Sequence, residues 1–180
     1  MATVNEVLGK LLTDTYDCEG RSVDLSTRAK GVARYTGDKE REAVVLFDIR
    51  GSYSLPTDDL ASIRLEYILR EAIDNSLAAY RKREKAGAVR VTAVDKGDNV
   101  FLLIDDLAGG IPPEVKEHMV AEKTVVMSAK REVSKTAGGR GYKSSVKAAK
   151  RLGGDFSFDD LEEGGEKGTR CVLRLPYGKN

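Results

Sequence analysis

Glu71-Ala72-Ile73-Asp74-Asn75 and Asp105-Asp106-Leu107-Ala108-Gly109-Gly110-Ile111-Pro112 are the two stretches whose reading decides the fold. The first lies in a long helical pattern, so Glu71 and Asn75, four residues apart, project from one face a turn from each other. The second follows Val100-Phe101-Leu102-Leu103-Ile104, an apolar run that reads as a buried strand. It delivers a carboxylate and two glycines where that strand ends. A carboxylate and a carboxamide on a helix, facing an acidic glycine turn at a strand end, can hold a nucleotide and a magnesium ion.

Around this pair the chain alternates helices with hairpins. The central helix is expected from about Leu60 to Glu84, with Thr57 or Asp58 as N-cap, an apolar face of Ile63, Tyr67, Leu69, Ile73 and Leu77, and Gly87 just past its end. Before it, Ala43–Ile49 reads as a strand. Residues 14–43 are polar and interrupted by Gly20, Gly31 and Gly37, with short strands at Ser22–Leu25 and Val32–Tyr35. Val4, Val7, Leu8, Leu11 and Leu12 recur at helical spacing over residues 3–13. That stripe caps the core, with a partner or dimer contact as the alternative.

After the central helix, Ala88–Asp95 and Asn99–Ile104 read as strands joined by Lys96-Gly97-Asp98, a hairpin turn whose glycine takes positive φ. Pro113–Val120 reads as a short helix with an early proline. Residues 121–137 are lysine-rich and short of large apolar residues, and read as a mobile segment. Lys143–Leu152 reads as a helix entered through Ala137-Gly138-Gly139-Arg140-Gly141-Tyr142 and stopped by Gly153-Gly154. Strands at Asp155–Asp159 and Gly168–Leu175 flank an acidic glycine turn. This pattern predicts an α+β fold, a two-layer sandwich with a mixed or antiparallel sheet covered by helices on one face. Residues 1–55 read as a helix and strands of the same domain, and 56–180 as its core.

Composition removes several functions. Lysine plus arginine number 30 against 29 acidic residues, a net charge of +1, so nucleic-acid binding is not indicated. Cys18 and Cys171 lack metal-ligand spacing, and Cys171 reads as a small core residue. The single histidine, His118, cannot build a histidine-based metal site. No apolar run approaches the roughly 20 residues that span a bilayer. A signal-peptide pattern is missing at the N-terminus, so the expected setting is cytoplasmic.

A glycine run entering a helix points main-chain N–H groups at an anion and can cradle phosphates. The run at 138–141 lacks the following Gly-Lys-Ser/Thr of a Walker loop, and no apolar strand enters it as a Rossmann turn requires. Order and combination are more specific. Glu-x-x-x-Asn on a helix, Asp-x-x-Gly-Gly-Ile-Pro after a strand, Gly139-Arg140-Gly141-Tyr142 before a helix, and Gly168-Thr169 entering the last strand resemble the GHKL superfamily. That superfamily comprises DNA gyrase, Hsp90, histidine kinases and MutL, which share the Bergerat ATP-binding fold. The likeness runs from about residue 60 to 176 and is nearest to the histidine-kinase catalytic domain.

The resemblance implies a set of roles. Asn75 would ligate Mg²⁺, and Asp106 would accept a hydrogen bond from the adenine amino group. Gly110 would let main chain approach the base, Ile111 would wall the pocket, and Thr169 would support Asp106 through its hydroxyl or a water. Gly139 and Gly141 would present N–H groups to the phosphates. Residues 113–138 would form a lid, with Lys130, Lys135 and Arg140 as candidate phosphate contacts. Glu71 would orient or activate water as a general base. Leu107 stands where the family has Asn and Ala108 where it has Gly, a change compatible with negative φ. Ala137, Arg140 and Tyr142 depart from the second glycine box.

The implied function is Mg-ATP-dependent phosphoryl transfer to a protein partner or phosphoacceptor. His118 falls in the lid rather than on an upstream dimerisation helix and reads as a polar lid residue. The alternatives are an ATPase or ATP-gated module, with or without homodimer formation, and a degenerate nucleotide-binding interaction module. No membrane insertion is expected.

Overall fold

The computed structural model describes residues 2–15, 17–24, 28–34, 43–56, 60–120 and 139–177, without the side chains of 12–15, 17–24, 28–34, 118, 120, 139 and 140. Its elements run α1 (Val4–Thr15), β1 (Asp17–Asp24), β2 (Arg28–Arg34), β3 (Ala43–Arg50), α2 (Ala61–Lys82), β4 (Gly87–Lys96), β5 (Asn99–Asp106), α3 (Pro113–Val120), α4 (Gly139–Arg151), β6 (Asp155–Glu163) and β7 (Glu166–Pro176). The strands form a seven-stranded sheet in the order β1-β2-β3-β4-β5-β7-β6. Among its pairs only β3–β4 is parallel, so the sheet is mixed. The fold is α+β, as the alternation of helices and hairpins predicts.

Strand alternation decides where the helices sit. Phe47, Val91, Ile104 and Cys171 are paired across four neighbouring strands and therefore share one face. Leu102 and Leu173 form the next row, beside Phe156 of β6. These residues, cysteine apart, are buried under the helices. The opposite face carries an ionic row instead. Arg90 bonds Glu163, and Arg170 holds Asp105 through Nε at 2.8 Å and Nη2 at 2.7 Å.

The central helix differs from its sequence reading in which side chains it buries. Ile63 is 61% and Tyr67 37% exposed, while Leu65, Ile68, Leu69, Ala72, Ile73, Ser76, Leu77 and Tyr80 form the buried stripe. Apolar residues occupy two faces of α2, and the 3.6-residue period alone does not say which faces the sheet. The helix starts at Ala61 with Leu60 at the N-cap and no side-chain cap, whereas Thr57 and Asp58 lie outside the described residues. Helix α1 carries a capping signal that its apolar spacing hides. Glu6 N–H donates to Thr3 Oγ1 at 3.2 Å, and Thr3 N–H donates to Glu6 Oε2 at 2.8 Å, a reciprocal capping box. Its Val4, Val7, Leu8 and Leu11 are buried in the core, and Leu12 lies outside the described side chains.

Strands β1 and β2 are longer and start earlier than their polar sequence suggests, because pairing rather than alternation defines them. β2 pairs along its whole length with β3, from Arg28↔Arg50 to Arg34↔Val44. β6 and β7 likewise extend to a two-residue turn at Gly164-Gly165, both at positive φ. Helix α4 begins at Gly139, four residues before its expected start, so Gly139 and Gly141 belong to its first turn. Its end follows the expected glycine stop. Gly154 N–H reaches Ala149 O at 2.9 Å and Gly153 N–H reaches Lys150 O at 3.0 Å, with Gly153 at φ 74°. The segment 121–137 lies outside the described residues.

Helix α2 ends by the same double bond without a glycine. Lys85 N–H meets Tyr80 O and Glu84 N–H meets Arg81 O, both at 3.1 Å, with Glu84 at φ 52°. Among described residues Glu84 is the single non-glycine at positive φ. A left-handed conformation costs a side-chain-bearing residue about 1–2 kcal/mol. Glu84→Gly should therefore raise unfolding stability by up to about 1 kcal/mol, read as a higher melting temperature.

Candidate functional site

Asp106 closes β5 and is 5% exposed. Its carboxylate accepts hydrogen bonds from Ser76 Oγ and Ala108 N–H, each at 2.9 Å, and from the main-chain N–H of Thr169. Burial pushes its pKa above the usual carboxylate range. The bonds from Ala108, Ser76 and Thr169 pull it back, and Asp105 adds a smaller upward push. Strand alternation keeps the two carboxylates apart, since Asp105 faces Arg170 on the other side of the sheet.

Asp106 lines a cavity of about 970 Å³, within the range of small-molecule sites. Three other elements converge there. Helix α2 contributes Glu71 and Asn75, the glycine turn contributes Gly110 and Ile111, and Thr169 stands beside Asp106 across the β5–β7 pair. The first turn of α4 contributes Gly141, where an added Cβ would collide with the Glu71 carboxylate. Glu71 thus lies against the N-terminal turn of α4, whose positive dipole end favours anions. The main chain of Gly139 and Arg140 belongs to the same turn, and Lys130 and Lys135 lie outside the described residues.

The glycines of the turn are needed for different reasons. Gly109 and Gly110 adopt φ of 98° and 74°, a region L side chains avoid. Gly168 is required by approach, since a Cβ there would strike the Asp106 carbonyl. Ala108 sits outside the positive-φ set and is buried, which is why alanine serves where the family has glycine. Leu107 keeps its main chain occupied, donating N–H to Tyr80 Oη at 2.9 Å.

Several site residues escape the sequence reading. Ser76 follows Asn75 and stands in the buried stripe of α2, where a hydroxyl among apolar neighbours signals a partner on the sheet. Tyr142 packs edge-on to Phe158 at 5.2 Å and tilted to Phe156 at 5.9 Å, and the three make an aromatic cavity wall. Cys171, expected in the core, is half-buried on that wall. Burial and the charges of Asp106 and Asp105 push its thiol up to about 12, so it stays protonated and acts as a packing group. Among described residues no group of three or more His, Cys, Asp and Glu could hold a metal ion, and no helix is long and apolar enough to cross a membrane.

A buried aspartate at the end of β5, under a helix bearing glutamate and asparagine one turn apart, is the arrangement that the GHKL resemblance implies. Residues 61–179 match the family of histidine kinase-, DNA gyrase B- and HSP90-like ATPases, and the chain belongs to it. It is 31% identical over 122 residues to the sensor-type histidine kinase PrrB of Mycobacterium bovis and of Mycobacterium tuberculosis. The match covers 68% of this chain and 26% of PrrB, so the chain spans about a quarter of the length of the curated relatives it matches. The structure of the mycobacterial sensor histidine kinase MprB superposes with a TM-score of 0.54 at 19% identity, covering 76% of this chain and 84% of that one. The fold is shared with a histidine kinase, and the family binds ATP.

The raised pKa of Asp106 has a thermodynamic consequence. An acid whose folded pKa exceeds its unfolded value favours the folded state while protonated, and that advantage is lost as pH rises through the folded pKa. The ionised carboxylate therefore costs stability. Wild-type unfolding stability should fall as pH rises through the Asp106 titration, and Asp106→Asn should remove that pH dependence, which pH-dependent thermal unfolding measures.

Proposed function

We propose that this domain binds Mg-ATP and passes the γ-phosphate to a protein partner. The observation that carries the reading is the convergence of Asp106, Asn75, Glu71 and the first turn of α4 on one cavity. In this reading Asp106 accepts the adenine amino group and Thr169 supports it through its main chain. Gly110 admits the base edge and Ile111 walls it. Gly139 and Gly141 turn N–H groups of the α4 N-terminus to the phosphates, with Lys130, Lys135 and Arg140 as candidate phosphate contacts.

The donor set suits magnesium. A single carboxamide oxygen at Asn75, with no carboxylate cage among described residues, fits a hard cation that keeps water and phosphate as its other ligands. Bound there, Mg²⁺ would neutralise charge on the phosphate oxygens. In the transfer, the bond from the β–γ bridging oxygen to phosphorus breaks as the acceptor atom bonds phosphorus, and ADP departs with the bridging electrons. Glu71, one turn from Asn75 on the same wall, takes the proton of the acceptor or orients a water.

Glu71 also supports a second reading, ATP hydrolysis to ADP and phosphate with lid closure altering partner or dimer contacts. A cytoplasmic setting goes with either, since ATP is supplied there. Calorimetric titration should give saturable Mg-ATP binding that Asp106→Ala removes and Asn75→Ala weakens about tenfold or more when magnesium is present. Binding that survives Asp106→Ala sinks the assigned site. Steady phosphate release that drops by about a hundredfold in Glu71→Gln selects hydrolysis. Transfer of γ-phosphate label to a protein selects the kinase.

A further inference from the structure

Three main-chain groups of the turn after β5 are held by side chains at the C-terminal end of α2. Leu107 N–H donates to Tyr80 Oη at 2.9 Å, and Leu107 O accepts from Lys85 Nζ at 3.1 Å. Gly109 O accepts from Arg83 Nη2 at 3.4 Å, while Gly109 N–H donates to Lys167 O at 2.7 Å. Ala108 N–H, between them, is the donor to Asp106 Oδ1. Three side chains within six residues of one helix end therefore fix the loop that orients the buried carboxylate.

We propose that Tyr80, Arg83 and Lys85 are positioning residues for base recognition, setting how strongly the site distinguishes a purine with a 6-amino group from one without. This inference rests on the ATP reading above. Tyr80 is 2% exposed, and its ring fills the space a Cβ at Gly87 would take, so it cannot swing. Its hydroxyl donates to Ala88 O at 3.2 Å, which leaves a lone pair for Leu107 N–H. The hydroxyl thus ties the loop to the start of β4.

Lys85 is aimed by the turn before it. Glu84 accepts left-handed φ, and the chain then crosses to place the Lys85 ammonium between Leu107 O and Glu166 Oε1, at 2.7 Å from the latter. Strain of this kind persists where the surroundings require one geometry. Water could satisfy the same carbonyls at a surface. Three tethered donors and acceptors give a fixed loop instead. A hydrogen bond to a base amino group weakens steeply outside a narrow range of distance and angle. A shift at Leu107 moves Ala108, and with it the oxygen of Asp106 that Ala108 holds.

The test compares Mg-ATP with Mg-ITP, which lacks the 6-amino group, by titration calorimetry on the full chain. Wild type should prefer ATP. Tyr80→Phe and Lys85→Met should each reduce that preference about fivefold, the worth of one net hydrogen bond, and Lys85→Arg should restore most of it. A merely structural role lowers the melting temperature and leaves the ATP-to-ITP ratio unchanged, and that result in both variants overturns the proposal. Should Tyr80→Phe fail to fold, Lys85→Met decides alone, because its side chain is at the surface. A wild-type chain that binds neither nucleotide overturns the ATP reading and this inference together. A wild type that binds both equally removes base recognition by Asp106 and the positioning role with it.

Discussion

A carboxylate buried at the end of a central strand is the constraint on which this domain depends. Removed from water, Asp106 needs donors on every side, and no single segment can provide them. Ser76 reaches down from α2, Thr169 crosses from β7, and Ala108 turns back from the loop. Each donor belongs to a different element, so the geometry that stabilises the charge also fixes helix, sheet and turn relative to one another. The raised pKa concentrates a stability cost at the cavity, a trade common at functional sites.

The glycines act as the negative space of this arrangement. Gly168 permits β7 to lie against the Asp106 carbonyl, and Gly110 opens main chain toward the cavity at a φ other residues avoid. Gly141 makes room for Glu71 at the head of α4. On the far side of the sheet, Arg170 takes the charge of Asp105, so the two adjacent carboxylates serve separate environments. One face of the sheet is ionic and structural, the other a cavity wall.

Much of this was legible along the chain because it is local. The β4–β5 hairpin, the Gly153-Gly154 stop and the helical spacing of Glu71 and Asn75 need no knowledge of distant residues. What was not legible depends on partners far away in sequence. Ser76 and Asp106 are 30 positions apart and Tyr80 and Leu107 are 27 apart, so neither pair leaves a local pattern. The polar strand β2 takes its extent from β3, and β1 from β2. Ile63 and Tyr67 mislead for a related reason, since an apolar residue on a helix announces burial whether or not the fold provides it. The family resemblance pointed to Asn75, Asp106 and Thr169 as candidates, while the hydrogen-bond partners around them came only from the packed structure.

The pairing of β5 with β7 also imposes an order of assembly. β4 and β5 can close as a hairpin soon after they are made, but the strand that carries Gly168 and Thr169 arrives only after α3, α4 and β6. Closing so long a loop carries an entropy cost before its contacts are gained. Through that interval Asp106 lacks one of its donors and one wall of its pocket. During synthesis the cavity beside Asp106 is therefore among the last parts of the domain to exist, since it is not walled until β7 lies between β5 and β6.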